Sequence, residues 1–173
     1  KPATMPLPRL LNSTLDGVRG SEAAVADDIA KYAATDLVCY RATSPAELVR
    51  RQAAQWDPMV AWAAEALDCR LTVVSGLMPV AQAGDAVARI RARLDTRDVY
   101  RLAATHVATT LLGSAVLALA LARGRIDAGA AWSAAHIDED FQAEQWGRDD
   151  EAEARSRQRR SELDAAATVI ALA

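Results

Sequence analysis

The stretch DVYRLAATHVATTLLGSAVLALALAR, residues 98–123, decides how the rest of the chain is read. Between Arg101 and Arg123 it holds no charged side chain other than the titratable His106. Its apolar residues run round the whole circumference of a helix, the pattern of a helix enclosed by neighbours. Asp98 is placed to cap the start and Gly124 to close the end. One continuous buried helix over about 98–123 is therefore expected as the central post of a helical domain. Thr109, Gly113, Ala120 and Gly124 fall on one stripe of small residues, which predicts a neighbouring helix lying close at Gly113. At about 1.5 Å per residue the stretch is long enough to cross a bilayer core of ~30 Å. Its histidine, threonines and serine, and the lack of an aromatic belt beyond Tyr100, favour a buried helix instead.

Outward from this post, a chain of 173 residues is long enough for one domain or somewhat more. We expect a helix-rich segment over 1–95 carrying two short strands, and an all-helical segment over 96–173. Alanine dominates the apolar half of the composition and Phe141 is the lone phenylalanine. Such a core favours close helix–helix approach, with Trp56, Trp62, Trp132 and Trp146 filling the larger spaces. The net charge of −3 argues against nucleic acid or an anionic membrane as partner of the whole chain. Cys39 and Cys69 show no CxxC spacing and read as buried, reduced thiols, with a disulfide or a metal site as the alternative. Reduced thiols suit a cytosolic or matrix-like compartment. The opening KPATMPLPRL has no apolar signal region and no initiator methionine, so the sequence reads as starting inside a longer chain.

In chain order, residues 1–5 read as coil, and Leu7, Leu10, Leu11, Leu15 and Val18 then give an amphipathic helix ending near Gly17–Gly20. A second helix starts at Ser21. Residues 36–41 and 70–74 are short apolar runs bounded by polar residues and read as strands. Between them, Ser44-Pro45 and Asp57-Pro58 each look like a capped helix start, predicting two helices. Two strands joined through helices are usually parallel. A sheet this small wants outside support, either from helices that cover it or from further strands upstream of residue 1, and the upstream source, as part of a β-rich domain, is the expected one. Later helices are expected from Ala86 to Leu94, from Asp127 with a break near Asp138, and from Asp149 to the end. The whole reads as a mainly α protein, an orthogonal helical bundle.

Catalytic apparatus is missing from the sequence: there is no P-loop, dinucleotide fingerprint, GxSxG or HExxH motif. We therefore expect no enzyme and no cofactor. His136 and Asp140 are four apart, close enough for one helix face, but consecutive acids on a helix diverge and a metal site is not expected. The segment 138–153 is nonetheless strongly acidic, with Phe141 and Trp146 inside it. It reads either as a solvated, dipole-favoured surface or as a docking surface for a basic partner segment with aromatic anchors. The rival chemical reading is a small helical metal-dependent enzyme using the acids of 138–144.

Five blocks carry a resemblance: TMPLPRLLNSTLD (4–16), DLVCYRA (36–42), ELVRRQAAQWDPMVAWA (47–63), GSAVLALALARGRID (113–127) and HIDEDFQAEQWG (136–147). Together they resemble the assembly chaperones of the F-type ATP synthase that bind the alpha subunit of its catalytic sector. The resemblance spans nearly the whole chain in order, and the WDP and DEDFQAEQWG stretches are its most specific parts. It implies a chaperone that holds the unassembled alpha subunit until the beta subunit replaces it, without nucleotide and without membrane insertion. The expected partner contacts are Asp138, Glu139, Asp140 and Glu144 as charged groups and Trp146 as an anchor. Trp56 and Asp57 are weaker candidates, since packing and capping already account for them.

Overall fold

The computed structural model describes residues 6–78 and 80–173, with the backbone alone at Ser13 and Leu15. The coil expected over 1–5 and the side chain of Leu15 lie outside what is described. The chain is mainly helical. Helix α1 (Pro6–Ser13) runs into a π turn (Thr14–Val18), followed by α2 (Glu22–Lys31) and two single 3-10 turns, Tyr32–Ala34 and Leu37–Cys39. Strand β1 (Tyr40–Arg41), helix α3 (Ala46–Ala66), strand β2 (Val74–Ser75) and helix α4 (Ala86–Ala92) come next. The second half comprises α5 (Val99–Leu112), α6 (Ala115–Ala122), α7 (Ala128–Ala135), α8 (Ile137–Trp146) and α9 (Asp150–Leu172).

The central stretch is buried as expected, but it is two helices and not one. Thr105, Thr109 and Thr110 turn their hydroxyls back onto carbonyls four residues earlier, at 2.7–3.0 Å, which competes with a straight ladder. Gly113 then takes a left-handed φ of 68°, and its N–H closes α5 on the Thr109 carbonyl. Ser114 restarts the chain as N-cap, its hydroxyl oxygen accepting from the Leu117 N–H at 3.0 Å. A Cβ at Gly113 would meet nothing within 4 Å. Gly113 is thus required by backbone geometry, not by a close-packed neighbour. Among the described residues no helix is long and apolar enough to cross a membrane.

Every residue of α6 is buried. Helix α5 packs chiefly against α9 and α2, and one hydrophobic core runs from Leu10 through Trp56, Leu117 and Leu163 to Ile170. A fully buried leucine such as Leu117 contributes about 1.5–3 kcal/mol to holding this layer. Asp36 fastens the early turns to the helix break. Its carboxylate is buried and accepts from the Ser114 hydroxyl, from the Val116 N–H at 3.1 Å and from the Val38 N–H at 3.4 Å.

The two strands pair in parallel, Tyr40 with Val74 and Arg41 with Ser75. They are shorter than expected because Leu37–Cys39 turns as a 3-10 helix under Asp36. Helix α3 also differs from expectation: it runs unbroken through Trp56-Asp57-Pro58, so Asp57 is not a cap. Pro58 only forfeits one ladder donor in mid-helix, and Trp56, Met59 and Ala63, buried on one face, keep the two halves in line.

Candidate functional site

The acidic segment begins where two short helices meet. Asp127 caps α7, accepting from the Ala130 N–H at 2.8 Å. His136 ends α7 and starts α8, its ring stacked on Trp132 at 3.8 Å between centroids and its Nδ1 bonded to the Trp132 carbonyl at 2.8 Å. Asp138, Glu139 and Asp140 occupy the first turn of α8, where the helix dipole favours negative charge. His136 and Asp140 have separate partners, and among the described residues no three His, Cys, Asp or Glu side chains come together as a metal site.

Helix α3 grips one face of α8 through two residues, Gln52 and Arg51. The buried Gln52 donates from Nε2 to Asp138 at 2.7 Å and accepts from the Ala42 N–H at 2.8 Å, joining the end of β1 to the first turn of α8. Arg51 reaches Glu144 at 2.9 Å and Glu47 at 3.2 Å, with its guanidinium 5.4 Å from the centre of the Phe141 ring. Its hydrogen bond holds the Glu144 carboxyl below the usual range, and Glu47 is lowered by its bonds to Arg50 and Arg51. Trp56 lies underneath, its Nε1–H donating to the Ala134 carbonyl at 2.8 Å. At the far end, Asp140 pairs with Arg148 at 3.1 Å across the left-handed Gly147.

The other face of α8 is turned to solvent. Glu139 and Trp146, seven residues apart and so nearly aligned along the helix, are both exposed, Trp146 at 87% of its surface. Glu139 makes no ion pair with the described residues. Asp138, Asp140 and Glu144 therefore each have an internal partner, while Glu139 and Trp146 have none. Trp56 is 1% exposed and belongs to the support beneath α8, so its ring offers no surface to an incoming chain. Asp57 is exposed but pairs at 2.6 Å with Arg41 of β1, whose guanidinium lies over Trp56, and not with any residue of α8. Of the supporting residues, the Glu47–Arg51 pair was legible as an i, i+4 ion pair. Gln52 carried no signal, because a glutamine on a helix ordinarily faces water.

The first 64 residues match the model of the ATP12 chaperone protein family. Atp12 from Paracoccus denitrificans is 42% identical and superposes with a TM-score of 0.93, covering 99% of this chain and 74% of that one. An aspartate-to-lysine mutant of the same Paracoccus protein gives a TM-score of 0.92 over the same shares. The candidate chaperone Atu1473 from Agrobacterium tumefaciens is 43% identical with a TM-score of 0.91, this chain covering 64% of its length. The likeness extends over α8 and its supports as well as the core, and the chain belongs to the ATP12 chaperone family, an ATP synthase assembly chaperone and not an enzyme.

Proposed function

We propose that this chain binds the unassembled alpha subunit of the F-type ATP synthase catalytic sector and keeps it from aggregating until the beta subunit takes its place. The observation that carries this reading is the two-faced α8: one face is clamped to α3 by Arg51 and Gln52, and the other presents Glu139 and Trp146 to solvent. A bare tryptophan on a rigid, charged platform is a typical anchor for a partner surface. Asp138, Asp140 and Glu144 add negative field around it and orient a basic segment of the subunit on approach. Trp56 and Asp57 act in this scheme as supports, through Ala134 and Arg41.

An unassembled alpha subunit exposes the apolar surface meant for beta, and such surface aggregates. Covering it needs binding alone. Release follows by mass action when beta competes for the same surface, so no nucleotide step is needed. The encounter then belongs in the compartment where the catalytic sector is assembled, the bacterial cytoplasm, or the matrix for mitochondrial relatives.

Co-expression with alpha tests this directly. Soluble alpha should co-purify with the chain, and adding beta should dissolve that complex. Replacing Glu139 by Lys together with Trp146 by Ala should abolish capture while leaving the unfolding midpoint unchanged. Undiminished capture by that double variant would refute the assignment of α8.

A further inference from the structure

We propose that Arg93, Arg101 and Arg123 form a binding site for a phosphate group, in a cavity between α4, α5 and α6. Arg93 is the C-cap of α4, Arg101 lies in the first turn of α5 and Arg123 is the C-cap of α6. Three helix ends thus bring three guanidiniums to the wall of one cavity of about 190 Å³. Its floor is made of buried side chains, Leu102, Thr105 and Leu119. No residue of α8 lines it, and the site stands independently of the alpha-subunit reading above.

Each guanidinium is held in place by backbone and not by a carboxylate. Arg93 donates from Nε to the Leu67 carbonyl at 3.1 Å. Arg101 donates from Nη1 to the Ile170 carbonyl at 3.1 Å and from Nη2 to the Ala122 carbonyl. Arg123 reaches the Ala66 carbonyl from Nη1 at 3.5 Å. Among the described residues none of the three has an ion-pair partner. The acids close by are engaged elsewhere. Asp95, which also lines the cavity, is gripped by Arg97 through Nε at 3.0 Å and Nη2 at 3.1 Å, and Asp98 caps α5 through the Arg101 N–H.

Helix capping explains why these arginines stay in place, but it does not balance them. A helix C-terminus carries roughly half a negative charge, so the ends of α3, α6 and α9 offset only about half of the three positive charges. The remaining like charges repel one another, and the buried floor beneath them reduces screening. A guanidinium also has more donors than a capped carbonyl uses, set in a rigid planar fork. Both terminal nitrogens of Arg93 and Nη2 of Arg123 have no hydrogen bond among the described residues. A planar carboxylate suits a single fork. A phosphate group presents several acceptor oxygens round a tetrahedron and about −1.5 to −2 charges at neutral pH, which suits three forks and the unbalanced charge together. Free phosphate and the terminal phosphate of a nucleotide supply the same group.

The test uses the full-length protein with inorganic phosphate and with ADP, at low millimolar concentration and against chloride at matched ionic strength, where general salt exclusion is negligible. Phosphate should raise the urea unfolding midpoint. It should also slow phenylglyoxal modification of the exposed Arg93 and Arg123, read by peptide mass spectrometry, and leave the exposed Arg157 of α9 unchanged. Arg93→Gln and Arg123→Gln should each weaken phosphate binding by about tenfold or more in calorimetry. Their midpoints in chloride should hold or rise, because each change removes one of the like charges. Stronger protection by ADP than by phosphate assigns the site to a nucleotide; weaker or equal protection assigns it to the free ion. Phosphate binding unchanged in both variants would overturn the site and leave the arginines as helix caps. So would a lack of protection of Arg93 and Arg123 by either compound in the unaltered protein, a result that needs no variant to fold.

Discussion

Asp36 offers a test in which sign and size are both set by the structure. The carboxylate is completely buried, and burial pushes its pKa up to about 6, against the pull of bonds from Ser114, Val116 and Val38. In the unfolded chain it returns to about 3.8. A raised folded pKa means that the protonated form is favoured by folding. The resulting stabilisation is complete below the unfolded value and disappears as pH rises through about 6. Working through the two titrations, the contribution falls by about 2 kcal/mol between about pH 4.5 and about pH 7.5. Asp36→Asn does not titrate. The stability of the parent minus that of Asp36→Asn should therefore decline by this amount across the interval. Surface acids with lowered pKa, such as Glu47 and Glu144, act in the opposite direction but are common to both proteins and cancel in the difference. Urea unfolding followed by the summed tryptophan fluorescence, to which the buried Trp56 contributes, gives the two curves. Asp36→Ala, which strands the Ser114, Val116 and Val38 donors, should cost about 2–4 kcal/mol near neutral pH. A difference that stays flat within ~0.5 kcal/mol, or that rises with pH, would refute the argument.

Gly113→Ala should cost about 1–2 kcal/mol through its left-handed φ, and Gly113→Leu no more than that, since the space beyond is open; denaturant midpoints decide, and a much larger loss for leucine would restore the packing explanation. Leu117→Ala, at the centre of the buried α6, should lose about 2–5 kcal/mol by the same measurement. Trp146→Ala should leave stability within ~0.5 kcal/mol and yet remove most alpha capture in a pull-down. Arg51→Ala, by contrast, should loosen α8 without unfolding the core, and faster amide exchange confined to 137–146 would report it.

Helix existence was legible wherever a cap and a periodic apolar face coincided, as at Asp98, Asp127 and Asp149, each of which accepts the expected backbone N–H. The break at Gly113 was legible in principle, because glycine followed by serine is a helix stop followed by a helix start. A uniformly apolar run masked it: when every face is hydrophobic, periodicity gives no sign that the axis has turned. Asp57-Pro58 failed in the opposite direction. It has the local chemistry of a start, and tertiary burial of the flanking Trp56 and Met59 carried the helix straight through. At the site the acids and Trp146 stood out from their residue types. Which acids are engaged could not be read, because Gln52–Asp138 and Arg51–Glu144 join residues far apart in sequence.

The division of α8 into a held face and an open face bears on how a passive chaperone lets go. Had all the acids been free, each could pair with the subunit, and the summed bonds would resist displacement. Internal partners already engage Asp138, Asp140 and Glu144, so a basic group arriving on them must compete with Arg148 or Arg51 or settle for the long-range field. Exposed pairs of that kind contribute ~0–1 kcal/mol each. On the proposed reading, affinity then concentrates in the exposed indole of Trp146, peripheral to the core. A competing subunit can displace so peripheral a contact without disturbing the core. Strengthening that open face of α8, for example by giving Glu139 an additional neighbouring acid through Gln142→Glu, should slow the hand-over to beta more than it improves capture. Equal rates of beta-driven release from the parent and the Gln142→Glu variant, alongside tighter alpha binding, would contradict this account.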